Sequence, residues 1–321
     1  MSKPINTDSF KGIFVPILMP VTNEFDGAID ISRLREQVDF VIERGVDGIL
    51  AFGSNSEFYM FSDDEMLEAT AAIIDEVAGR VPVMFGVGHI RTSQCVELAR
   101  RAAELDIDAI SVLQPMFIVP TKVSLYNHFK AIAGAVSDTA VLIYNNPGRA
   151  GYPIGLDTIV RLAHDVPNIC GIKDSTGNIT DLQELVRRTA DIDFVTFAGK
   201  DTVVFPGLCC GADGAVCSTA NIYPELVCGI YDKFVAGDLA GSRADQFKLN
   251  PIRLSQDAAS FPAATKDMAN LLGMEVGPSV LPTEATDGAA LEGMRRAMSE
   301  GGYLVDAGSP SSGRSVDSFH A

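Results

Sequence analysis

The chain has 321 residues, is 47% hydrophobic and 21% charged, and carries 42 acidic against 25 basic residues, a formal charge of -17. That length buries a large core without disulfides or metals, and fits either one large α/β barrel with an appendage or two ordinary domains. The acidity excludes nucleic acid and anionic membrane surfaces as expected partners, because both are bound by clustered Lys and Arg.

From Gly12 to about Cys217 one theme repeats: a β-branched run, a polar break, and a longer segment rich in Ala, Leu and charge. This is the pattern of successive βα units. The predicted strands are GIFVPIL from Gly12, DGILAFG from Asp47, VPVMFGV from Val81, DAISVLQ from Asp108, AVLIYN from Ala140, ICGIKD from Ile169, DFVTFAG from Asp193 and DGAVCS from Asp213. Between them, segments such as Ser32 to Arg44, Asp63 to Ala78, Thr92 to Glu104 and Thr121 to Val136 space their apolar residues three and four apart, as helices do. Ser32, Ser62 and Thr92 are read as their caps.

Eight strands each followed by a helix predict a (β/α)8 TIM barrel rather than an open sheet. No G-x-G-x-x-G turn follows the first strand to suggest a dinucleotide fold. Beyond the eighth strand, Pro224 to about Gly301 reads as helices only, broken at Gly237, Pro251, Pro262 and GPSVLPTEA. The expected organisation is a catalytic barrel over 1–235, a helical domain over 236–303, and a small, polar, flexible tail over 304–321.

The six cysteines mostly lie in apolar runs such as LCCG and AVCS, without a C-x-x-C pair, and the four histidines are scattered. Neither a disulfide framework nor a metal site is expected. The N-terminus lacks the apolar core of a signal peptide and no apolar stretch approaches 20 residues, so the expected setting is the cytoplasm, with no membrane association.

In such a barrel, chemistry sits at the carboxyl ends of the strands. Lys173 closes the sixth strand in NICGIKDSTGN. A lysine pointing into the barrel mouth is desolvated, which lowers its pKa from about 10.4 toward the range of about 7 to 8 where the amine is nucleophilic and can form a Schiff base. A strand-end lysine snorkelling to water is the equal alternative on position alone. Tyr144 ends the fifth strand in VLIYNNPGR and is expected beside Lys173, either as a proton relay or as an aromatic capping the barrel. FGSNSEF, Phe52 to Phe58, ends the second strand with a tight Gly53, the hydroxyl of Ser54, the amide of Asn55 and free backbone N–H groups, a combination suited to a carboxylate.

Together GxxxxGSxxE at the second strand, YNxPxR at the fifth and GIKDS at the sixth resemble the dihydrodipicolinate synthase and N-acetylneuraminate lyase family of Schiff-base lyases. The resemblance runs from Gly12 to roughly Gly277. It implies a (β/α)8 barrel with a C-terminal helical domain, assembled as a homotetramer built from dimers, with no metal or organic cofactor. It also implies catalytic roles for Lys173 as the imine-forming amine, Tyr144 as general acid/base and Ser54 as its hydroxyl relay. Ser54 and Asn55 would hold the α-carboxylate of pyruvate or another 2-oxo acid, and the protonated imine is the electron sink for making or breaking the adjacent bond.

The match is incomplete in informative places. Phe117, in QPMF, stands where the synthases place a tyrosine that reaches the neighbouring subunit. Arg149 matches the arginine that binds the distal carboxylate of aspartate semialdehyde in the synthases, with a surface ion pair as the alternative. Gly199 and Asp201 in FAGKDT and Ser218 in GADGAVCSTAN match sialic acid lyase positions that face substrate hydroxyls, but Thr202 replaces an expected acid. Ser56 replaces the usual glycine, and GSNSEF is closer to hydroxy-oxoglutarate aldolases. The expected activity is therefore an aldolase or dehydratase acting on a small acidic 2-oxo acid, a keto-deoxy sugar acid or hydroxy-oxo diacid. The alternative is the synthase proper, condensing pyruvate with aspartate semialdehyde; less favoured are N-acetylneuraminate lyase and a non-catalytic 2-oxo acid binder. Lys173, Arg149 and Lys200 are expected to keep the mouth positive in a chain of net charge -17.

Overall fold

A computed structural model describes residues 7–304; the expected tail beyond Leu304 lies outside the described residues. Eight short strands, β1 (Gly12–Pro16), β2 (Gly48–Ala51), β3 (Val83–Val87), β4 (Ala109–Leu113), β5 (Ala140–Asn145), β6 (Ile169–Asp174), β7 (Val195–Ala198) and β8 (Gly214–Val216), coincide with the eight predicted runs. All neighbours pair in parallel and β8 returns to β1, closing the barrel. Every strand residue is buried, as expected when the interior is packed and helices cover the outside.

Strand periodicity divides the core into two layers. On β1, Phe14 points inward against Phe197 of β7, ring centroids 5.0 Å apart, while Ile13 and Val15 join the outer layer under the helices. Gly48 makes room for Phe14, since a β-carbon there would lie 2.1 Å from the ring. On β5, Val141 and Ile143 face outward and Leu142 inward, which turns Tyr144 inward. On β6, Ile172 faces outward and Lys173 therefore enters the mouth.

The covering helices are α1 (Ile31–Glu43), α2 (Asp63–Val77), α3 (Thr92–Ala102), α4 (Lys122–Ala135), the one-turn α5 (Pro147–Ala150), α6 (Leu156–Asp165), α7 (Ile179–Arg188) and α8 (Val204–Cys209). Ser62 caps α2 through a reciprocal capping box with Glu65. Two expected caps are corrected. Asp30, not Ser32, caps α1 by accepting from Arg33 N at 3.0 Å. Thr92 is the first residue of α3, and its hydroxyl meets His128 Nδ1 at 2.9 Å instead.

After β8 come α9 (Pro224–Val235), α10 (Leu239–Ser255), α11 (Ala263–Leu271) and α12 (Gly288–Glu300). Pro251 does not break this region as expected; α10 runs through it to Ser255. The segment after α11 lies back across the barrel's first loop, where Val21 N donates to Val276 O and Leu281 N to Glu24 O. Among the described residues, no helix is long and apolar enough to cross a membrane.

At the opposite end from the mouth, three aspartates precede their strands and hold an amide in the first two residues of the neighbouring strand. Asp47 accepts from Ile13 N, Asp108 from Val83 N and Asp213 from Thr196 N, at 2.7, 2.7 and 2.8 Å. Burial pushes the Asp47 carboxyl up to about 6 against the lowering effect of the Ile13 amide. The native state thus holds a proton that the unfolded chain releases near 3.8. The resulting stabilisation is complete below that lower value and lost as pH rises through about 6. Asp47→Asn keeps an accepting oxygen but does not titrate. Urea midpoints measured from pH 4 to 7 should decline less steeply in this variant than in the parent; parallel profiles would refute the assignment.

Candidate active site

Adjacent registers place Tyr144 directly opposite Lys173 at the β5–β6 rim. The Lys173 ammonium lies 4.3 Å from the centre of the Tyr144 ring. Both side chains are buried, and Lys173 has no carboxylate in ion-pair range among the described residues. The neighbouring Asp174 is occupied elsewhere, accepting from Asn145 Nδ2 at 2.7 Å and Thr176 Oγ1 at 2.5 Å. Lysine and tyrosine thus share a site that water reaches poorly.

The phenol of Tyr144 is met by Ser54 Oγ at 3.3 Å and receives a hydrogen bond from Asn146 Nδ2 at 2.8 Å. Burial raises the phenol's pKa, but the Lys173 charge and the hydrogen bonds of Ser54, Asn146 and Ser175 outweigh it and leave the group below its ordinary value. Asn146 is fixed in turn by Gln114, whose amide oxygen accepts from Asn146 N at 3.0 Å and whose amide nitrogen donates to Tyr152 O.

The turn after β2 carries Ser54 and Asn55. A 3₁₀ segment, Ser54–Ser56, begins directly after Gly53, and its first amides have no intrahelical acceptor. Phe52 and Glu57 bracket the turn at φ 51° and 53°, left-handed conformations that non-glycine residues adopt only when their surroundings enforce them. Gly86 of β3 supports it, since a β-carbon there would be 2.2 Å from Phe52 O. Ser56, at the position where glycine was expected, is not in that conformation; its hydroxyl donates to Ile17 O at 2.5 Å. Below it, Glu57 and Lys266 of α11 form a wholly buried ion pair at 2.6 Å.

The remaining expected residues divide. A mouth cavity of about 300 Å³ is lined by Ser54, Asn55, Tyr144, Arg149, Lys173, Gly199, Asp201 and Ser218, and by Lys200, so the eight candidates border one space. Their environments differ. Asp201 spends its carboxylate on the turn after β8, accepting from Ser218 N at 3.2 Å, Thr219 N at 2.7 Å and Thr219 Oγ1 at 2.5 Å. Gly199 fits against the β6 loop, where a β-carbon would lie 2.2 Å from Ser175 Oγ. Arg149 stacks its guanidinium 4.2 Å above the Phe261 ring. Phe117 is 93% exposed, at φ 69°, and does not line the mouth cavity.

Sequence reasoning missed Asn146, Ser175 and Arg253, which also line the cavity. The first two sit inside the quoted YNxPxR and GIKDS motifs. Arg253 comes from the last turn of α10, and nothing local marks it.

A buried, carboxylate-free lysine beside a hydrogen-bonded phenol, both at the carboxyl rim of a TIM barrel, is the equipment of a class I, Schiff-base-forming lyase. The sequence matches the Dihydrodipicolinate synthetase family over residues 9–300. It is 36% identical to a 4-hydroxy-tetrahydrodipicolinate synthase of Trichlorobacter lovleyi over 293 residues, covering 89% of this chain and 98% of that protein. It is 32% identical to a protein of the same name from Methanoculleus marisnigri over 289 residues, covering 90% and 98%. Among solved structures, YagE, a prophage protein of the dihydrodipicolinic acid synthase family from E. coli K12 in complex with pyruvate, superposes with a TM-score of 0.87 at 26% identity, covering 92% of this chain and 99% of that one. The chain belongs to the dihydrodipicolinate synthetase family and is an enzyme of the class I lyase type.

Proposed function

We propose that Lys173 forms an imine with the keto carbon of pyruvate or a small acidic 2-oxo acid, and that the enzyme makes or breaks the bond next to it as an aldolase or dehydratase. The carrying observation is the Lys173 ammonium 4.3 Å from the Tyr144 ring, with no carboxylate in ion-pair range among the described residues. The neutral amine attacks the keto carbon, Tyr144 gives a proton to the oxygen, and loss of water leaves the protonated imine. This cation then accepts the electron pair released when the adjacent C–C or C–H bond breaks, and water returns the product and the free amine. Ser54 passes protons to and from Tyr144. The amides of Ser54 and Asn55 hold the α-carboxylate, and Arg149 meets the far end of the substrate. Gly199 and Ser218 border the substrate's remaining length, and Asp201 positions the β8 turn that carries Ser218.

A second reading, the synthase condensing pyruvate with aspartate semialdehyde, is favoured by the names of the relatives and by Arg149. Phe117 argues against it, because a three-hydroxyl relay is reduced to Ser54 and Tyr144. We further propose a homotetramer of dimers in which Phe117, Ile118, Val119 and Val123, an exposed apolar strip beside the mouth, are covered by a neighbouring subunit.

Borohydride treatment with pyruvate should add the mass of a reduced adduct on Lys173. A panel of 2-oxo acids should then show cleavage of hydroxy-oxo acids in the parent enzyme. If cleavage is undetectable and Phe117→Tyr raises turnover with aspartate semialdehyde, the synthase reading replaces the first.

A further inference from the structure

The mouth cavity does not end at the barrel rim. A second cavity of about 390 Å³ shares a wall with it, and Arg149, Arg253 and Phe261 line both. The two arginines arrive from opposite parts of the chain, Arg149 from the turn after β5 and Arg253 from the end of α10. Their partners differ. Arg149 has no carboxylate in ion-pair range among the described residues and is held by stacking on Phe261, which fixes the plane of its fork and leaves the N–H edge available. Arg253 is partly exposed and gives Nη1 to Asp257 at 2.8 Å. The acids bordering the two cavities are already engaged, Asp201 by the β8 turn and Asp257 by Arg253. What remains beyond the reaction centre is the guanidinium of Arg149 and the edge of Arg253 that Asp257 does not take, in a chain whose overall charge is -17.

We infer that the second cavity is the subsite for the far carboxylate of a dicarboxylic 2-oxo substrate, and that Arg253, supplied by the helical segment, reads this carboxylate together with Arg149. This deepens the imine reading and rests on it. A planar carboxylate suits the guanidinium fork, and the stacked ring of Phe261 accommodates the methylene chain between the two acid groups. The helices after the barrel thus set which 2-oxo acid is taken, while the barrel sets the chemistry.

The test compares 2-oxoglutarate with 2-oxopentanoate, which has the same chain length and lacks the far carboxylate. The readout is the concentration giving half-maximal borohydride-trapped adduct on Lys173. The parent should saturate at lower 2-oxoglutarate than 2-oxopentanoate. Arg253→Gln should raise the 2-oxoglutarate value by about tenfold, the worth of one charge-assisted contact, with less than a twofold change for 2-oxopentanoate. Asp257→Asn frees Arg253 and should lower the 2-oxoglutarate value; it decides the question alone if Arg253→Gln does not fold. Equal changes for both acids, or none, would overturn the subsite while pyruvate still traps on Lys173. Absence of pyruvate trapping would overturn the imine reading and the subsite with it. Competition by inorganic phosphate stronger than by 2-oxoglutarate, lost in Arg253→Gln, would assign the cavity to a phosphate instead and overturn the carboxylate.

Discussion

Lys173→Ala should abolish adduct trapping and reduce turnover by about 10⁶-fold, the scale on which removing a covalent nucleophile acts. No other group in the mouth can replace it. Lys200 lines the cavity, but it follows β7 in a loop and does not share the β5–β6 register that sets Lys173 against Tyr144. Lys173→Arg should be as inactive, since a guanidinium keeps the charge and loses the nucleophile. The same substitution to alanine should leave thermal stability unchanged or raise it. Lys173 is a buried amine with no carboxylate in ion-pair range among the described residues, and such groups are retained for chemistry rather than for folding. A trapped adduct persisting in Lys173→Ala, or a loss of activity explained entirely by unfolding, would reject Lys173 as the imine-forming group. Tyr144→Phe should fall between parent and Lys173→Ala, losing about 10²- to 10⁴-fold as a general acid/base does, and its pH profile should lose the limb set by the phenol.

How far the site is legible in sequence depends on how far each residue is from a strand end. Lys173 and Tyr144 follow from parity: once Ile172 and Ile143 are placed outward, the next residue enters the mouth. The eight strands are legible for the same reason, each being a short apolar run bounded by polar breaks. Asp201 shows where that logic stops. Its position after β7 is predictable, but whether its carboxylate faces substrate or the Thr219 amide depends on how the β7 and β8 turns meet. Caps fail in the same local way, because Asp30 and Ser32 are both good caps and backbone dihedrals choose between them. Pro251 read as a break because its ring removes a donor, yet α10 packs on α9 and α12 and its helix continues past the proline. Arg253 was invisible because its place in the mouth follows from how α10 lies on the barrel, which no local spacing records.

Lys266→Met should be the most destabilising single substitution away from the reacting groups, costing about 3–5 kcal/mol. At the size of this chain that corresponds to a drop in Tm of roughly 4–7 °C. Both partners of the pair are fully buried. Burial pushes the Lys266 amine down, and Glu57 opposes that shift. Lys266 also donates to Pro278 O at 2.8 Å, and Glu57 Oε1 accepts from Val280 N at 2.9 Å, so the pair fastens the segment after α11 to the turn after β2. Removing the lysine leaves a carboxylate in the interior held, among the described residues, by the Val280 amide alone. Glu57→Gln combined with Lys266→Met removes both charges and should regain much of the lost stability. Activity should not return in step. Glu57 ends the Ser54–Ser56 turn in a left-handed conformation, and the Ser54 hydroxyl must stay 3.3 Å from Tyr144 to serve as its relay. The double variant should therefore melt near the parent while its kcat remains depressed, and its adduct should form more slowly with pyruvate. A single variant that melts within about 2 °C of the parent would show that water reaches the pair and that it does not brace the turn.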